Sequence, residues 1–205
     1  MLNMKETYFL CLKPYTSDIL LMESCWNEII ASYSDQRRSY HTLTHLQHFS
    51  DQLNFCKNQL SDYSTAYLAM IYHDIVYFTM DGTNEEKSAI VAVSHLNKLD
   101  YPADLISLCS EMILATKTHA GNSSSDINYF IDADMSILGA DRGSYEKYSA
   151  GIRKEYGDSI YFDRGRKQIL QHFLNMERIF KTDLFFDKYE LQARINIQGE
   201  IDNLS

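Results

Sequence analysis

Apolar residues recur every three or four positions along most of this chain, a spacing that predicts amphipathic α-helices. A second helix is expected over 41–60 and a third over about 65–78. The third stretch is apolar nearly all round, so we expect it to lie at the centre of a helical bundle. The first helix, expected within 17–33, has one apolar face made of Ile19, Met22, Trp26, Ile29 and Tyr33.

Signals for helix ends divide the rest of the chain into further helices. Thr83 and Glu86 have the T-x-x-E spacing of a capping box, which predicts a helix from there to about 98. Pro102 suits the first turn of the next helix, which should end near His119. After the polar stretch GNSSSD, Gly139 is expected to close a buried helix. Three more helical patterns follow, at about 143–156, 163–180 and 184–202.

Residues that break helices are scarce. The chain has two prolines and eight glycines in 205 residues, below the typical ~5% and ~7%. A sheet protein of this size needs many tight turns, which favour glycine and proline. We therefore predict an all-α fold of eight or nine helices. Its expected form is a single compact bundle, one domain over 1–205 with its core at about 17–202.

Charge and hydropathy exclude several classes of partner. There are 19 basic and 28 acidic residues, for a net charge of −9, which argues against binding to a nucleic-acid duplex. No apolar run reaches the ~18 residues of a membrane span, and the N-terminus does not resemble a secretion signal. The four cysteines form no CxxC pair and are expected to be reduced core thiols of a cytoplasmic protein: Cys11, Cys25, Cys56 and Cys109.

Two pairs of polar residues interrupt otherwise apolar helices. His73 and Asp74 lie in the third helix, and Asp132 and Asp134 lie in the stretch YFIDADMSIL. Burying an unpaired carboxylate is costly, so each should be paired, hydrogen-bonded or bound to a metal. Either pair alone favours a structural role, such as a helix cap or a salt bridge. Both pairs together with nearby histidines favour a metal site.

Histidines precede the third helix at a spacing that suits a shared ligand. His41 and His45 are four residues apart, so on one helix they can reach the same metal or anion. His73 and Asp74 are adjacent, and adjacent residues on a helix point about 100° apart. A shared ion therefore needs ligands from distant segments, which His41 and Asp134 would supply.

The motifs RSYHTLTH, AMIYHDIVY and FIDADMSILG resemble the HD superfamily of metal-dependent phosphohydrolases, whose all-α core carries a His, a His-Asp pair and a distant Asp. More narrowly, the chain is similar to a bacterial subgroup of predicted HD-type phosphohydrolases. The stretches NEEKSA and ATKTH, together with Gly165-Arg166, match that subgroup. The similarity covers roughly residues 20–200.

The resemblance implies a mixed nitrogen and oxygen site for one or two divalent metal ions, Mn, Mg, Fe, Co, Ni or Zn. His45 departs from the commonest pattern, and it could bind substrate, hold a second ion or orient the ligands. His45 and Asp132 are second choices as ligands. The ligands implied by local motif are His41, His73, Asp74 and Asp134.

The activity implied is hydrolysis of a small phosphoester, such as a nucleotide, by a metal-activated water. Glu85 either acts in the site or favours the helix dipole, and Arg166 either binds substrate or forms a salt bridge. Alternatives are a di-iron oxygenase of the same superfamily and a non-catalytic helical module that binds metal or nucleotide. The expected catalytic residues are Asp74, Glu85, Lys117 and His119, and the expected substrate-binding residues are Arg38, His45 and Arg166.

Overall fold

The computed structural model describes residues 3–79, 81–157 and 159–204, and every regular element within these ranges is helical. The predicted all-α fold is therefore confirmed. Residues 1, 2, 80, 158 and 205 lie outside the described ranges, including both ends of the predicted 1–205 domain. Two short 3₁₀ helices span Lys57–Gln59 and Ser136–Gly139. The described α-helices are α1 (Met4–Leu12), α2 (Ile19–Tyr33), α3 (Leu43–Phe55), α4 (Tyr63–Tyr72), α5 (Asn84–Lys98), α6 (Ala103–Ala115), α7 (Ser125–Met135), α8 (Arg142–Tyr156), α9 (Ile160–Asn175) and α10 (Asp183–Asn203).

The chain divides into two compact units, Met1–Ile131 and Asp132–Ser205, each defined by the contacts among its own residues. The prediction of a single domain stays a prediction. In the first unit, α4 packs against α1, α3, α5 and α6, and all its residues from Thr65 to Tyr72 are buried. The expectation that this apolar helix is central is confirmed for the first unit. All four cysteines are buried and none of them forms a disulfide, as expected.

Helix α1 is not among the helices predicted from the apolar pattern. It begins with a capping box in which Asn3 Oδ1 accepts from the Glu6 amide and Glu6 Oε2 accepts from the Asn3 amide, both at 2.9 Å. The helix buries Tyr8, Cys11 and Leu12. The N-x-x-E spacing was the signal in the sequence that marked this helix.

The capping box predicted at Thr83 and Glu86 is wrong, although α5 does begin where it was expected. Within the described residues, the Thr83 side chain makes no capping hydrogen bond to α5. The Glu86 carboxylate instead forms an ion pair with Lys117, and Asp81 Oδ1 accepts from the Thr83 amide at 2.9 Å. Lys117, which is distant in sequence, thus pairs with the Glu86 carboxylate that the capping box would have used.

Helix α4 ends at Tyr72, so the predicted helix to residue 78 is wrong at its C-terminal end. Side chains from α5 satisfy the backbone after the helix. Ser88 Oγ accepts from the Val76 amide at 3.1 Å, and Asn84 Oδ1 accepts from the Phe78 amide at 3.0 Å. Because these groups replace helical hydrogen bonds, the Val76 and Phe78 amides stay paired where the chain leaves the helix. We call residues 73–78 the post-helix segment.

Several other predicted helix ends also differ from the structure, including that of α3, which ends at Phe55 and not at residue 60. Helix α3 begins at Leu43, with Thr42 as its cap, so His41 precedes the helix and does not lie on its face. Helix α6 ends at Ala115, short of the predicted end near residue 119. His119 lies beyond it with a left-handed backbone, φ 50°.

The second unit contains the end of α7, the 3₁₀ helix Ser136–Gly139 and α8 to α10. A Cβ built on Gly139 would lie 2.5 Å from the Tyr189 carbonyl oxygen, so only glycine permits this approach of α10. Helix α9 ends at Asn175, not at the predicted 180, and the Glu190 carboxylate accepts from the Ile179 and Phe180 amides. In the part of the chain that the structure describes, no helix has both the length and the apolar character that crossing a membrane requires.

Candidate metal site

Three side chains of the first unit bring metal-ligating atoms together. His45 Nε2 lies 3.1 Å from His73 Nε2, and His73 Nε2 lies 2.9 Å from Asp74 Oδ2. The third separation, from His45 Nε2 to Asp74 Oδ2, is 3.8 Å. We call these residues the His45–His73–Asp74 cluster. A point equidistant from the three atoms lies about 1.9 Å from each, close to the ~2.0–2.2 Å of zinc bonds to imidazole and carboxylate.

The end of α4 explains how adjacent residues serve one site. His73 is the C-terminal cap of α4 and keeps helical dihedrals, φ −57° and ψ −36°. The helix does not continue past it, and the Asp74 carboxylate turns back to within 2.9 Å of the His73 ring. The angle of about 100° between adjacent side chains of a continuous helix therefore does not keep His73 and Asp74 apart. His45 approaches from the first turn of α3.

The hydrogen bond on the far side of the His73 ring fixes the state of the nitrogen in the cluster. His73 Nδ1 lies 2.8 Å from the Met70 carbonyl oxygen, which can only accept, so Nδ1 carries a proton. In a neutral ring, Nε2 then presents a lone pair to the Asp74 carboxylate. Two lone pairs at this distance repel unless a proton or a cation lies between them. The cluster therefore requires positive charge.

Burial makes that requirement stronger. The His45 and His73 side chains are 3% and 2% exposed and the Asp74 side chain is 15% exposed. Both imidazoles pack near the buried Phe49 ring. Burial by itself opposes ionisation of Asp74, but the neighbouring histidines, first His73 and then His41, hold the pKa of Asp74 well below its usual value. Asp74 is thus an anion in a poorly solvated place.

His41 lies beside this cluster without joining it. Its Nε2 is 3.9 Å from Asp74 Oδ2, and its ring stacks on Tyr77 with a centroid distance of 4.0 Å. The sequence motifs imply His41 as a ligand and His45 as a second choice. The structure brings His45 into the cluster and leaves His41 next to Asp74. A direct role for His41 as ligand stays a prediction. The HxxxH spacing includes both histidines, so it could not distinguish His45 from His41.

Arg38 is close to the cluster, but its guanidinium contacts backbone carbonyls. It donates to the carbonyl oxygens of His41, Asp74 and Ile75. Tyr33, which the sequence did not single out for the site, accepts from the Asp74 amide through its hydroxyl at 3.2 Å. The predicted contact of Arg38 with substrate stays a prediction.

The other predicted catalytic residues lie on α5 and in the segment after α6. Glu85 is half-buried in the first turn of α5. Lys117 is partly exposed, pairs with Glu86 and donates to the Gly82 carbonyl oxygen at 2.8 Å. His119 is half-buried. The catalytic roles of Glu85, Lys117 and His119 stay predictions.

In the second unit, Asp132 and Arg166 have structural partners. The fully buried Asp132 carboxylate accepts from the Lys181 and Thr182 amides just before α10, and burial raises the pKa of Asp132. These hydrogen bonds give Asp132 a structural role, and its role as a second-choice ligand stays a prediction. Arg166 pairs with Glu200 at 2.8 Å, so its salt bridge is confirmed, and substrate binding by Arg166 stays a prediction. Asp134 is half-buried in the last turn of α7, and its role as ligand stays a prediction.

Comparison of the chain with protein-family models, curated proteins and solved structures gave no match. The resemblance to the HD superfamily therefore rests on the sequence motifs and stays a prediction. The metal site has support of its own, because the convergence of the three ligand atoms does not depend on that resemblance.

Proposed function

We propose that this protein is a metal-dependent phosphohydrolase that acts on a small phosphoester. The observation that carries the proposal is the His45–His73–Asp74 cluster, in which two imidazole nitrogens and one carboxylate oxygen converge closely enough to share one metal ion. Three protein ligands with further positions open to water or substrate are typical of catalytic metal sites, whereas structural zinc sites have four. The family motifs favour phosphoester hydrolysis among the reactions such a site supports.

The proposed division of labour uses the positions of the side chains. His45 Nε2, His73 Nε2 and Asp74 Oδ2 would hold the ion, while His73 Nδ1 keeps its proton and donates it to the Met70 carbonyl oxygen. A bound divalent cation lowers the pKa of a water ligand and polarises a phosphoryl oxygen. Mn, Fe, Co, Ni, Zn and Mg all remain candidates.

His41 is suited to move a proton at the edge of this site. Its ring is 15% exposed, and its Nε2 faces the Asp74 carboxylate at 3.9 Å. A neutral imidazole there can accept a proton from an attacking water or return one to a leaving group. Glu85, Lys117 and His119 belong to the proposal through the family resemblance alone.

The experiment combines metal analysis with an activity panel. The protein is purified without chelator, its bound metals are measured, and phosphomonoesters, phosphodiesters and nucleotides are assayed with Mn, Mg, Co, Ni and Zn. The test variant is Asp74→Asn, which keeps the shape of the side chain and removes its charge. His172→Ala is the matched control, because His172 is exposed on α9 in the other unit.

We expect wild type and the His172→Ala variant to bind metal and hydrolyse a phosphoester. Asp74→Asn should lose activity by a factor of about 100 or more, as expected where a metal ligand is removed. Metal binding and hydrolysis that survive Asp74→Asn unchanged would refute the proposal.

A second candidate is an iron-dependent oxygenase. Two histidines and one carboxylate with open positions are also the ligand set of non-haem iron oxygenases, and His41 lies near enough to Asp74 to serve a second iron. Iron in the purified protein, oxygen consumption and no hydrolysis with any of the five metals would favour this alternative over the phosphohydrolase.

A further inference from the structure

The Arg38 side chain joins two separate segments of the first unit beside the cluster. Its Nη1 donates to the Asp74 carbonyl at 2.7 Å and to the His41 carbonyl at 3.2 Å, and its Nη2 donates to the Ile75 carbonyl at 3.0 Å. One guanidinium thus fastens the loop before α3 to the post-helix segment.

Two tyrosines hold the guanidinium and also contact the residues it joins. The Arg38 guanidinium carbon lies 5.0 Å from the centre of the Tyr33 ring and 5.6 Å from that of Tyr77. The Tyr33 hydroxyl accepts from the Asp74 amide, and the Tyr77 ring stacks on His41. Arg38, Tyr33 and Tyr77 therefore constrain the backbone of both segments at once.

The contacts of Arg38 with these carbonyls are needed because α4 ends at Tyr72, before Asp74. The carbonyls of Asp74 and Ile75 lack the partners that a longer helix would give them, and a planar guanidinium satisfies both. A lysine ammonium is a single point donor group and cannot span the same acceptors in one plane. The position therefore requires the arginine fork as well as a positive charge.

We infer that Arg38 is a positioning residue that holds the post-helix segment, and through it the Asp74 carboxylate, in the geometry that binds metal. This inference rests on the proposed function only for the metal, since the bracing of the backbone is a separate property. It differs from the predicted role of Arg38 in substrate binding, which would change the KM for substrate and leave metal affinity unaltered.

The first test measures the backbone without metal. Amide hydrogen exchange is compared among wild type, Arg38→Lys, Arg38→Ala and the control Arg37→Ala. Arg37→Ala removes the same charge at the adjacent position, where the side chain is 72% exposed, pairs with Asp35 and lies 5.3 Å from the centre of the Phe78 ring. We therefore read the exchange at residues 74–76, next to the carbonyls that Arg38 contacts, and expect it to be faster in both Arg38 variants and unchanged in Arg37→Ala. Exchange at wild-type rates in the Arg38 variants would overturn the inference.

The second test measures the metal. Co²⁺ is titrated into the same proteins, with affinity from calorimetry and coordination from the visible absorption bands. We expect Arg38→Ala to bind Co²⁺ at least about tenfold more weakly with altered bands, as found when groups that orient ligands are removed. Guanidinium chloride at low millimolar concentration should restore the affinity of Arg38→Ala, and Arg37→Ala should resemble wild type.

The outcomes separate this inference from the proposed function. If wild type binds Co²⁺ and Arg38→Ala binds it equally well with the same bands, the positioning role is refuted and the metal site stands. If wild type binds no metal, the proposed function fails, and hydrogen exchange still decides whether Arg38 braces the segment. If Arg38→Ala does not fold, Arg38→Lys supplies both comparisons.

Discussion

The proton on His73 Nδ1 determines what the His45–His73–Asp74 cluster can bind. His73 Nδ1 donates this proton to the Met70 carbonyl oxygen, so the other ring nitrogen, Nε2, faces Asp74 and His45 with a lone pair. The same carbonyl contact favours a proton or a cation in the cluster over an anion.

A second buried charge pair, in the other unit, has a structural role and a measurable pH dependence. Arg166 and Glu200 are 7% and 9% exposed, and Tyr145 also donates to the Glu200 carboxylate, at 2.6 Å. Burial raises the pKa of Glu200, but Arg166 outweighs it and the net pKa is lowered. The stabilisation is therefore complete above the unfolded pKa of about 4.3 and is lost as pH falls through the lower folded value.

Replacing Glu200 by Gln should leave Arg166 as an unpaired buried charge. We expect Glu200→Gln to lower the free energy of unfolding by about 3 kcal/mol at pH 7, with the deficit shrinking steadily below pH 5. Urea denaturation at several pH values measures it. The control is Glu146→Gln, which breaks an exposed pair with Arg142 and should cost about 0.5 kcal/mol or less. A deficit that is the same at pH 3.5 and pH 7 would contradict the assigned pKa direction.

Helix ends, more than helix interiors, separate the sequence predictions from the structure. The 3.6-residue spacing predicted α2 and α10 within a few residues, because burial of one face depends on the helix itself. The end of α4 depends on Ser88 and Asn84, and the end of α9 is followed by a loop that Glu190 holds. A local sequence pattern does not predict a capping side chain that comes from another segment of the chain.

The approach of α10 to Gly139 gives a test of packing between helical elements. Gly139→Ala places a methyl group 2.5 Å from the Tyr189 carbonyl oxygen, so backbone must move. We expect a loss of about 2 kcal/mol or more in the free energy of unfolding. Gly165→Ala, in open space within α9, should instead stabilise by about 0.5–1 kcal/mol. Thermal unfolding of both variants compares them, and equal effects would contradict the packing described here.

For the whole molecule, composition was sufficient for the fold class and insufficient for the ligands. Scarce proline and glycine predicted an all-α chain, and that is confirmed. The ligand set was harder, because His41 and His45 share the HxxxH motif and only the start of α3 at Leu43 separates them. His73 and Asp74 were predicted together, and the structure brings both to the cluster. A cytoplasmic location stays a prediction.

X-ray absorption at the zinc edge of Zn²⁺-loaded protein counts the imidazoles bound to the ion, and it therefore tests whether His45 and His73 are both ligands. We expect nitrogen and oxygen ligands at ~2.0–2.2 Å, with scattering from the outer ring atoms of two imidazoles in wild type and of one in His45→Ala. A shell of oxygen ligands without imidazole scattering, or a spectrum that His45→Ala leaves unchanged, would contradict this expectation.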